Sequence, residues 1–179
     1  MRKLSMEELE RRTVGQFREA KKMPVCAILD NVRSQQNTGS VFRTADAFMV
    51  ESLFLCGITA CPPHREIHRT ALGATESVDW KYFPTTLEAI EQCKKMGYRI
   101  VGIEQTDKAV ALQSFLPDLH VKYALVFGNE VNGISDEVLP HLDDCIEIPQ
   151  LGTKHSINIS VTAGIVFWDF FKTFRESLV

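Results

Sequence analysis

Short, largely apolar segments alternate along this chain with segments of helical periodicity, and that alternation restricts the fold more than any other feature. Val25–Leu29, Ser52–Cys56, Tyr98–Ile103, Tyr123–Phe127 and Cys145–Ile148 read as strands, and runs such as Ala124-Leu-Val-Phe127 leave no face polar. Strands buried on both faces belong to parallel sheets with helices on either side. The intervening segments supply those helices. Ser5-x-x-Glu8 is a capping box that opens a helix through Lys22, with Met6, Leu9, Val14 and Phe17 on its apolar face and Pro24 as its stop. Residues 40–49 form a helix with Val41, Phe42, Ala45 and Phe48 inward, and Thr85 or Thr86 caps a helix over Leu87–Met96 that Gly97 ends. A short helix is expected at Asp136–Leu142 and a long one from Ser156 to Arg175. The segment 57–78, with Pro62-Pro63, reads as irregular around one short helix near His64–Leu72. With no internal repeat or linker, the expectation is a single α/β domain built on a largely parallel sheet.

At 179 residues, 45% hydrophobic and 24% charged, the composition excludes disorder and collagen-like repeats. No apolar run approaches the ~18 residues of a membrane span. The start, MRKLSMEELERR, carries charge from its second residue, so no secretory leader is expected. The five cysteines (Cys26, Cys56, Cys61, Cys93, Cys145) are scattered without a C-x-x-C, which points to reduced thiols in a cytoplasmic protein with no metal site. The net charge of −3 argues against indiscriminate nucleic-acid binding, but its distribution is uneven. Residues 1–22 hold 7 Lys/Arg against 4 Glu, and the remainder holds 13 against 19 Asp/Glu. A basic N-terminal helical extension, 1–22, thus precedes an acidic body, 23–179, an arrangement suited to a polyanion held at one edge; a solvated Lys/Arg-rich helix is the plainer reading.

Ligands of open parallel sheets bind beyond the carboxyl ends of the strands. Three such ends carry unusual polar sequence: Asp30-Asn31 and then Asn37-Thr-Gly-Ser-Val-Phe-Arg43, Gly128-Asn-Glu-Val-Asn-Gly133-Ile-Ser135, and Pro149 through Ser160. There is no G-x-G-x-x-G, so a dinucleotide enzyme lacks its fingerprint. Gly128…Gly133 has Walker spacing but is followed by Ile134-Ser135 in place of Lys-Ser/Thr, and no G-x-S-x-G elbow is present.

In this order the three segments resemble the signature motifs of the SpoU (TrmH-like) class of SPOUT RNA 2′-O-methyltransferases. Asn37, Gly39, Arg43 and Ala45 match the first; Gly128, Asn129, Glu130 and Gly133 match the second. Ile148, Pro149, Ser156, Asn158 and Ser160 match the third, with Ile157 and Ile159 as conservative replacements. Gln150 stands where the family usually has Met, and Lys154-His155 precede the serine, departures that bear on the substrate more than on the reaction. The resemblance implies an α/β knot, in which the carboxyl-terminal segment threads a loop, and a homodimer. It also implies S-adenosylmethionine as cofactor and methylation of a ribose 2′-hydroxyl in tRNA or rRNA, without metal. A catalytically idle RNA-binding relative is the rival; it predicts loss of Arg43, Glu130 or Asn158, and all three are present.

Each implied role has a plainer counterpart. The family reading makes Arg43 the catalytic residue at the 2′-hydroxyl and a neighbouring phosphate, whereas the plain one pairs it with Asp46. A literal arginine base is disfavoured, since deprotonating a guanidinium at pH 7 costs roughly 8 kcal/mol. A charged Arg43 that grips phosphate and orients the hydroxyl fits better. Asn37 contacts the nucleotide or Arg43, or simply caps its helix. Glu130 orients Arg43 and opposes the cofactor's sulfonium charge, or is a solvated loop acid. Ser156 caps the last helix and lies near substrate and cofactor. Asn158, one turn into that helix, needs a compensating hydrogen bond. Cofactor contacts implied by position are largely backbone, at Ile103, Gly128, Ile148, Ser156 and Ile157; at Gly128 the missing Cβ admits a ligand. His155 and the cysteines are read as structural or surface residues.

Overall fold

Parallel strands buried on both faces organise the computed structural model, which describes residues 1–5 and 7–178. The strands are β1 (Met23–Asp30), β2 (Val50–Cys56), β3 (Asp79–Phe83), β4 (Tyr98–Ile103), β5 (Val110–Ala111), β6 (Lys122–Phe127) and β7 (Asp144–Glu147). They form one sheet in the order β3-β2-β1-β6-β4-β7-β5, every pair parallel. Helices α1 (Val14–Glu19), α2 (Gln35–Ala47), α3 (Arg65–Ala71), α4 (Ala74–Ser77), α5 (Thr86–Lys95) and α6 (Ile159–Phe174) complete the fold. Along β1, Val25, Ala27 and Leu29 join the core beneath α2, α3 and α6, while Cys26 and Ile28 join the core beneath α5. This is the two-sided burial that the apolar runs imply.

The five strands read from the sequence lie at these places, with β7 one residue earlier than Cys145–Ile148. The two unread strands, β3 and β5, are the sheet's two edges. Asp79, Lys81 and Tyr82 of β3 are exposed, so no apolar run marks it. Helix α5 begins after Thr85, whose side chain accepts from Glu88 N at 3.2 Å, and Gly97 follows its C-cap at φ 80°.

Three helix expectations change. The expected 5–22 helix is divided: the Ser5/Glu8 capping box forms, but Glu10 adopts φ 45°, and a second capping box, Thr13/Gln16, starts α1. Phe17 is buried and Val14 exposed, while Met6 lies outside the described residues. Helix α2 begins five residues earlier than expected because Ser34 caps it, placing Asn37 inside the first turn and free of the cap role. Asp136–Leu142 contains only a 3₁₀ turn, Leu139–His141, since Pro140 has no N–H to continue an α-helix. Gly39 permits the close crossing of α2 over α3: a Cβ there would lie 2.0 Å from Thr70 Oγ1 and 2.5 Å from Ile67 O.

Candidate active site

All strands being parallel, the carboxyl ends of β1, β6, β4 and β7 share one edge of the sheet, and β1 is where the winding order reverses. A cavity of about 610 Å³ opens there, walled by Ile103 and Glu104 at the end of β4, the 127–134 segment at the end of β6, and Ile148 and residues 155–159 after β7. It brings together Ile103, Gly128, Glu130, Ile148, Ser156, Ile157 and Asn158, seven of the nine residues singled out from the sequence.

The walls are tied to one another by buried polar groups. Asp30, fully buried at the end of β1, accepts from Ser135 N (2.8 Å), Asn31 Nδ2 (2.9 Å) and Thr86 Oγ1 (2.5 Å). Asn129 Nδ2 donates to Asn31 O at 2.7 Å, and reciprocal backbone bonds between Asn129 and Gly133 close the loop. Glu104 Oε2 accepts from Ile134 N at 3.0 Å, and Gln105 Nε2 donates to His155 O at 3.0 Å. Motif reading misses Glu104 and Gln105, and it places Asp30 only in the polar stretch after the first strand. Their one signal in the sequence is position: each follows the last apolar residue of a strand or lies one place beyond it. At Gly128 the sequence reading is corrected. A Cβ would lie 2.1 Å from Gly133 C and 2.2 Å from Ile134 N, so the space is taken by this chain's own backbone rather than kept for a ligand.

The three motifs meet at the cavity mouth. Glu130 accepts from Arg33 N (2.9 Å), Ser34 N (3.0 Å) and Asn37 Nδ2 (3.0 Å), so it closes the amino end of α2. Asn37 Oδ1 in turn accepts from Asn158 Nδ2 at 3.1 Å. Asn158, not Ser156, caps α6: its Oδ1 accepts from Ser160 N at 2.8 Å and from Ser160 Oγ at 2.6 Å. The helix therefore starts three residues after the expected Ser156, and Asn158 sits where its side chain is favoured. Ser156 is exposed on the cavity wall.

Arg43 stands apart. It is exposed on α2 and lines a separate groove with Arg69 and Ser160. Neither expected partner holds it: Glu130 is engaged by the start of α2, and Asp46 accepts from Ser77 Oγ. Among the described residues, the Arg43 guanidinium makes no side-chain hydrogen bond or ion pair, which leaves all five of its N–H donors available.

Burial alone would raise the Glu130 pKa, but the N–H groups of Arg33 and Ser34 and the Asn37 amide outweigh it and hold the carboxyl below its ordinary range. A folded-state pKa below the unfolded one stabilises the fold fully above the unfolded value, about 4.3, and ceases to as pH falls through the folded value. Glu130→Gln is thus expected to leave the shape of the pH–rate profile unchanged between about pH 6 and 8. It is expected to make acid unfolding below pH ~4 shallower, as read by thermal melts across that range. A lost acidic limb near neutrality would contradict this. Burial pushes the Cys56 thiol up to about 12 and raises Cys26, Cys61 and Cys145, which disfavours the nucleophilic thiolate at these four.

Residues 24–168 match the model of the SpoU rRNA Methylase family. The chain is 30% identical over 143 residues to the 23S rRNA (guanosine-2'-O-)-methyltransferase RlmB of Neisseria meningitidis, covering 80% of this chain and 56% of that protein. It therefore spans little more than half the length of that curated relative. Its fold superposes on the TrmH/SpoU tRNA modifying enzyme of A. aeolicus with a TM-score of 0.79 at 24% identity, covering 92% of this chain and 83% of that one. An rRNA methyltransferase from Sinorhizobium meliloti, solved with AdoMet bound, gives a TM-score of 0.76 at 25% identity over 90% of this chain and 59% of its own. With that match running from β1 into α6 and all three motifs at one edge of the sheet, the chain belongs to the SpoU rRNA methylase family.

Proposed function

We propose that the protein transfers a methyl group from S-adenosylmethionine to a ribose 2′-hydroxyl of tRNA or rRNA. The observation that carries this reading is the continuous Glu130–Asn37–Asn158 hydrogen-bond chain at the mouth of the cavity, which joins one residue from each of the three motifs. The cavity suits the cofactor. Its volume lies within the ~300–1,000 Å³ of small-molecule sites. Ile103, Ile148 and Ile157 offer apolar wall to a planar base, and Glu104 and Glu130 offer negative charge to a cationic ligand. When bound, S-adenosylmethionine supplies an electrophilic methyl group whose C–S bond breaks as the C–O bond forms, leaving a neutral thioether. The chain's residues hold and orient. Glu130, anionic at neutral pH, fixes the start of α2 and the Asn37 amide. Asn37 and Asn158 set the rim against which the nucleotide docks, and Ser156 lines the wall beside them. Arg43 stays charged, grips a phosphate and orients the 2′-hydroxyl, whose proton leaves to phosphate or water. Alignment of the reacting groups carries the rate, with no metal required.

The test is incubation with labelled S-adenosylmethionine and total RNA in excess EDTA, followed by mapping of modified riboses. Label at a 2′-O position is expected. Label confined to base atoms, to protein, or dependent on added metal contradicts the reading.

Two further features belong to it. The chain acts in the cytoplasm and as a homodimer, the dimer being supported by Val161, Ile165 and Trp168, an exposed apolar stripe at helical spacing on α6. Sedimentation at twice the chain mass is expected at micromolar concentration. The knot is supported by the path of residues 148–158, which run from β7 past Gln105 to Asn37. Pulling on both ends is expected to stop short of the full contour length.

The arm, residues 1–22, both docks and binds RNA, while 23–179 forms the methyltransferase domain. Phe17 is buried and Arg18 donates to Glu76 O, while Lys3, Arg11, Arg12 and Lys21 are exposed. A chain truncated to begin at Met23 is expected to lose about 2 kcal/mol of stability with Phe17. Its cofactor affinity is expected to hold, and the log–log salt slope of RNA binding to flatten by ~0.7–0.9 per lost phosphate contact. An unchanged slope makes the arm structural only.

A further inference from the structure

Beside the cofactor cavity lies a second concavity of about 590 Å³, between α2, α3 and the first turn of α6. Its rim carries two guanidiniums, Arg43 from α2 and Arg69 from α3, with Ser40, Thr44, Thr70 and Ser160 between them. Several of these hydroxyls have spent their protons inward: Thr44 donates to Ser40 O at 2.9 Å, Thr70 to Gln36 O at 3.0 Å, and Ser160 to Asn158. Ala47 and Phe48 supply apolar wall, and the side-chain donors left are Ser40 and the two arginines, whose guanidiniums favour an anion. Arg69 is held in place. Its Nη2 forms an ion pair with Glu66 Oε2 at 2.9 Å, and the same oxygen accepts from Gln36 Nε2 at 3.1 Å, which links the pair to α2. Glu66 occupies one edge of the fork and leaves the others for an oxyanion that accepts two parallel bonds. The close α2–α3 crossing at Gly39 sets the width between the helices. Ser160 joins the groove to the Asn158–Asn37–Glu130 chain, so an anion here sits next to the proposed reacting ribose.

We propose that Arg69 is a substrate-positioning residue which, on the same groove as Arg43, holds a phosphodiester flanking the ribose to be methylated. The proposal rests on the reading of the protein as an RNA methyltransferase. The two arginines then have separate roles, Arg43 acting on the reacting hydroxyl and Arg69 setting the register of the strand.

The test uses the full chain, with unfractionated tRNA and ribosomal RNA as probes over a series of salt concentrations. Arg69→Ala is expected to raise the RNA KM about tenfold, as loss of a charge-assisted hydrogen bond does. Little change is expected in kcat, cofactor affinity or melting temperature. The log–log salt slope flattens by ~0.7–0.9. Arg69→Lys restores that slope but only part of the KM, because a point charge replaces the fork. Arg65→Ala serves as control, since Arg65 lies exposed on the same helix but does not line the groove. An unchanged slope and KM in Arg69→Ala, or equal changes in Arg65→Ala, overturns the proposal, as does a fall in kcat at constant KM. Absence of methyl transfer by the wild type defeats the functional reading instead, and the binding slope still reports on the groove.

Discussion

Arg43→Ala is expected to lower the rate of methyl transfer by about 10²–10³-fold while leaving S-adenosylmethionine affinity unchanged. The magnitude follows from removing the cation placed at the developing charge, whose donors have no other partner among the described residues. Arg43 lines the groove outside the cofactor cavity, so the cofactor should not sense its loss. Folding should not sense it either, because the side chain is exposed and unpaired among the described residues. Single-turnover rates with saturating RNA, alongside calorimetric cofactor binding, separate these effects. Arg43→Lys is expected to remain at least ~10-fold below wild type, since an ammonium cannot span two oxygens in a plane. A lysine variant of near-full activity would remove the fork from the mechanism. A cofactor affinity that falls with the rate would move Arg43 into the cavity.

Gly128→Ala has the largest expected effect on the cavity itself. The new methyl would meet Gly133 C, Ile134 N and Gly133 O at 2.1, 2.2 and 2.5 Å, and these are backbone atoms that cannot rotate aside. The loop must shift, and the bond from Ile134 N to Glu104 Oε2 shifts with it. Overpacking of this kind costs about 1–3 kcal/mol, measurable by urea unfolding. Cofactor affinity is expected to fall at least ~10-fold, equivalent to about 1.4 kcal/mol. Gly152→Ala is the control in the neighbouring 148–158 segment, since a Cβ there meets nothing within 4 Å and its φ is not positive. Equal affinities in the two variants would mean that the 128–134 loop does not shape the cofactor site.

The contrast between those glycines marks how far local sequence reaches. Gly39 and Gly128 both fall in recognisable motifs, and the motif says that a glycine belongs there. Only tertiary packing decides that one admits α3 and the other admits the loop's own backbone. Likewise Ser34, Asn37, Ser156 and Asn158 are all residue types that cap helices. Which of them does so depends on where the backbone turns and on what else bids for the side chain. Asn37 is bound instead to Glu130 and Asn158, 93 and 121 residues away in the chain.

What this sequence determined alone is what is written locally. The five strands found from apolar runs include the sheet's central ones, whose middle residues, such as Val25–Leu29 and Tyr123–Phe127, are buried on both faces. The start and end of α5 follow from Thr85 and Gly97, whose backbone preferences need no distant partner. The three polar segments declared themselves because they interrupt the pattern at strand ends. The tertiary structure decided the rest. The edge strands β3 and β5 exist by pairing with β2 and β7 and carry exposed residues that no periodicity reveals. The roles of Asp30 and Glu104 come from N–H groups delivered by other elements, and the placing of Arg69 on one groove with Arg43 comes from α3 packing against α2. Hydrogen bonds of that kind join residues on separate strands and helices, so the fold must form before such a carboxylate or guanidinium acquires its function.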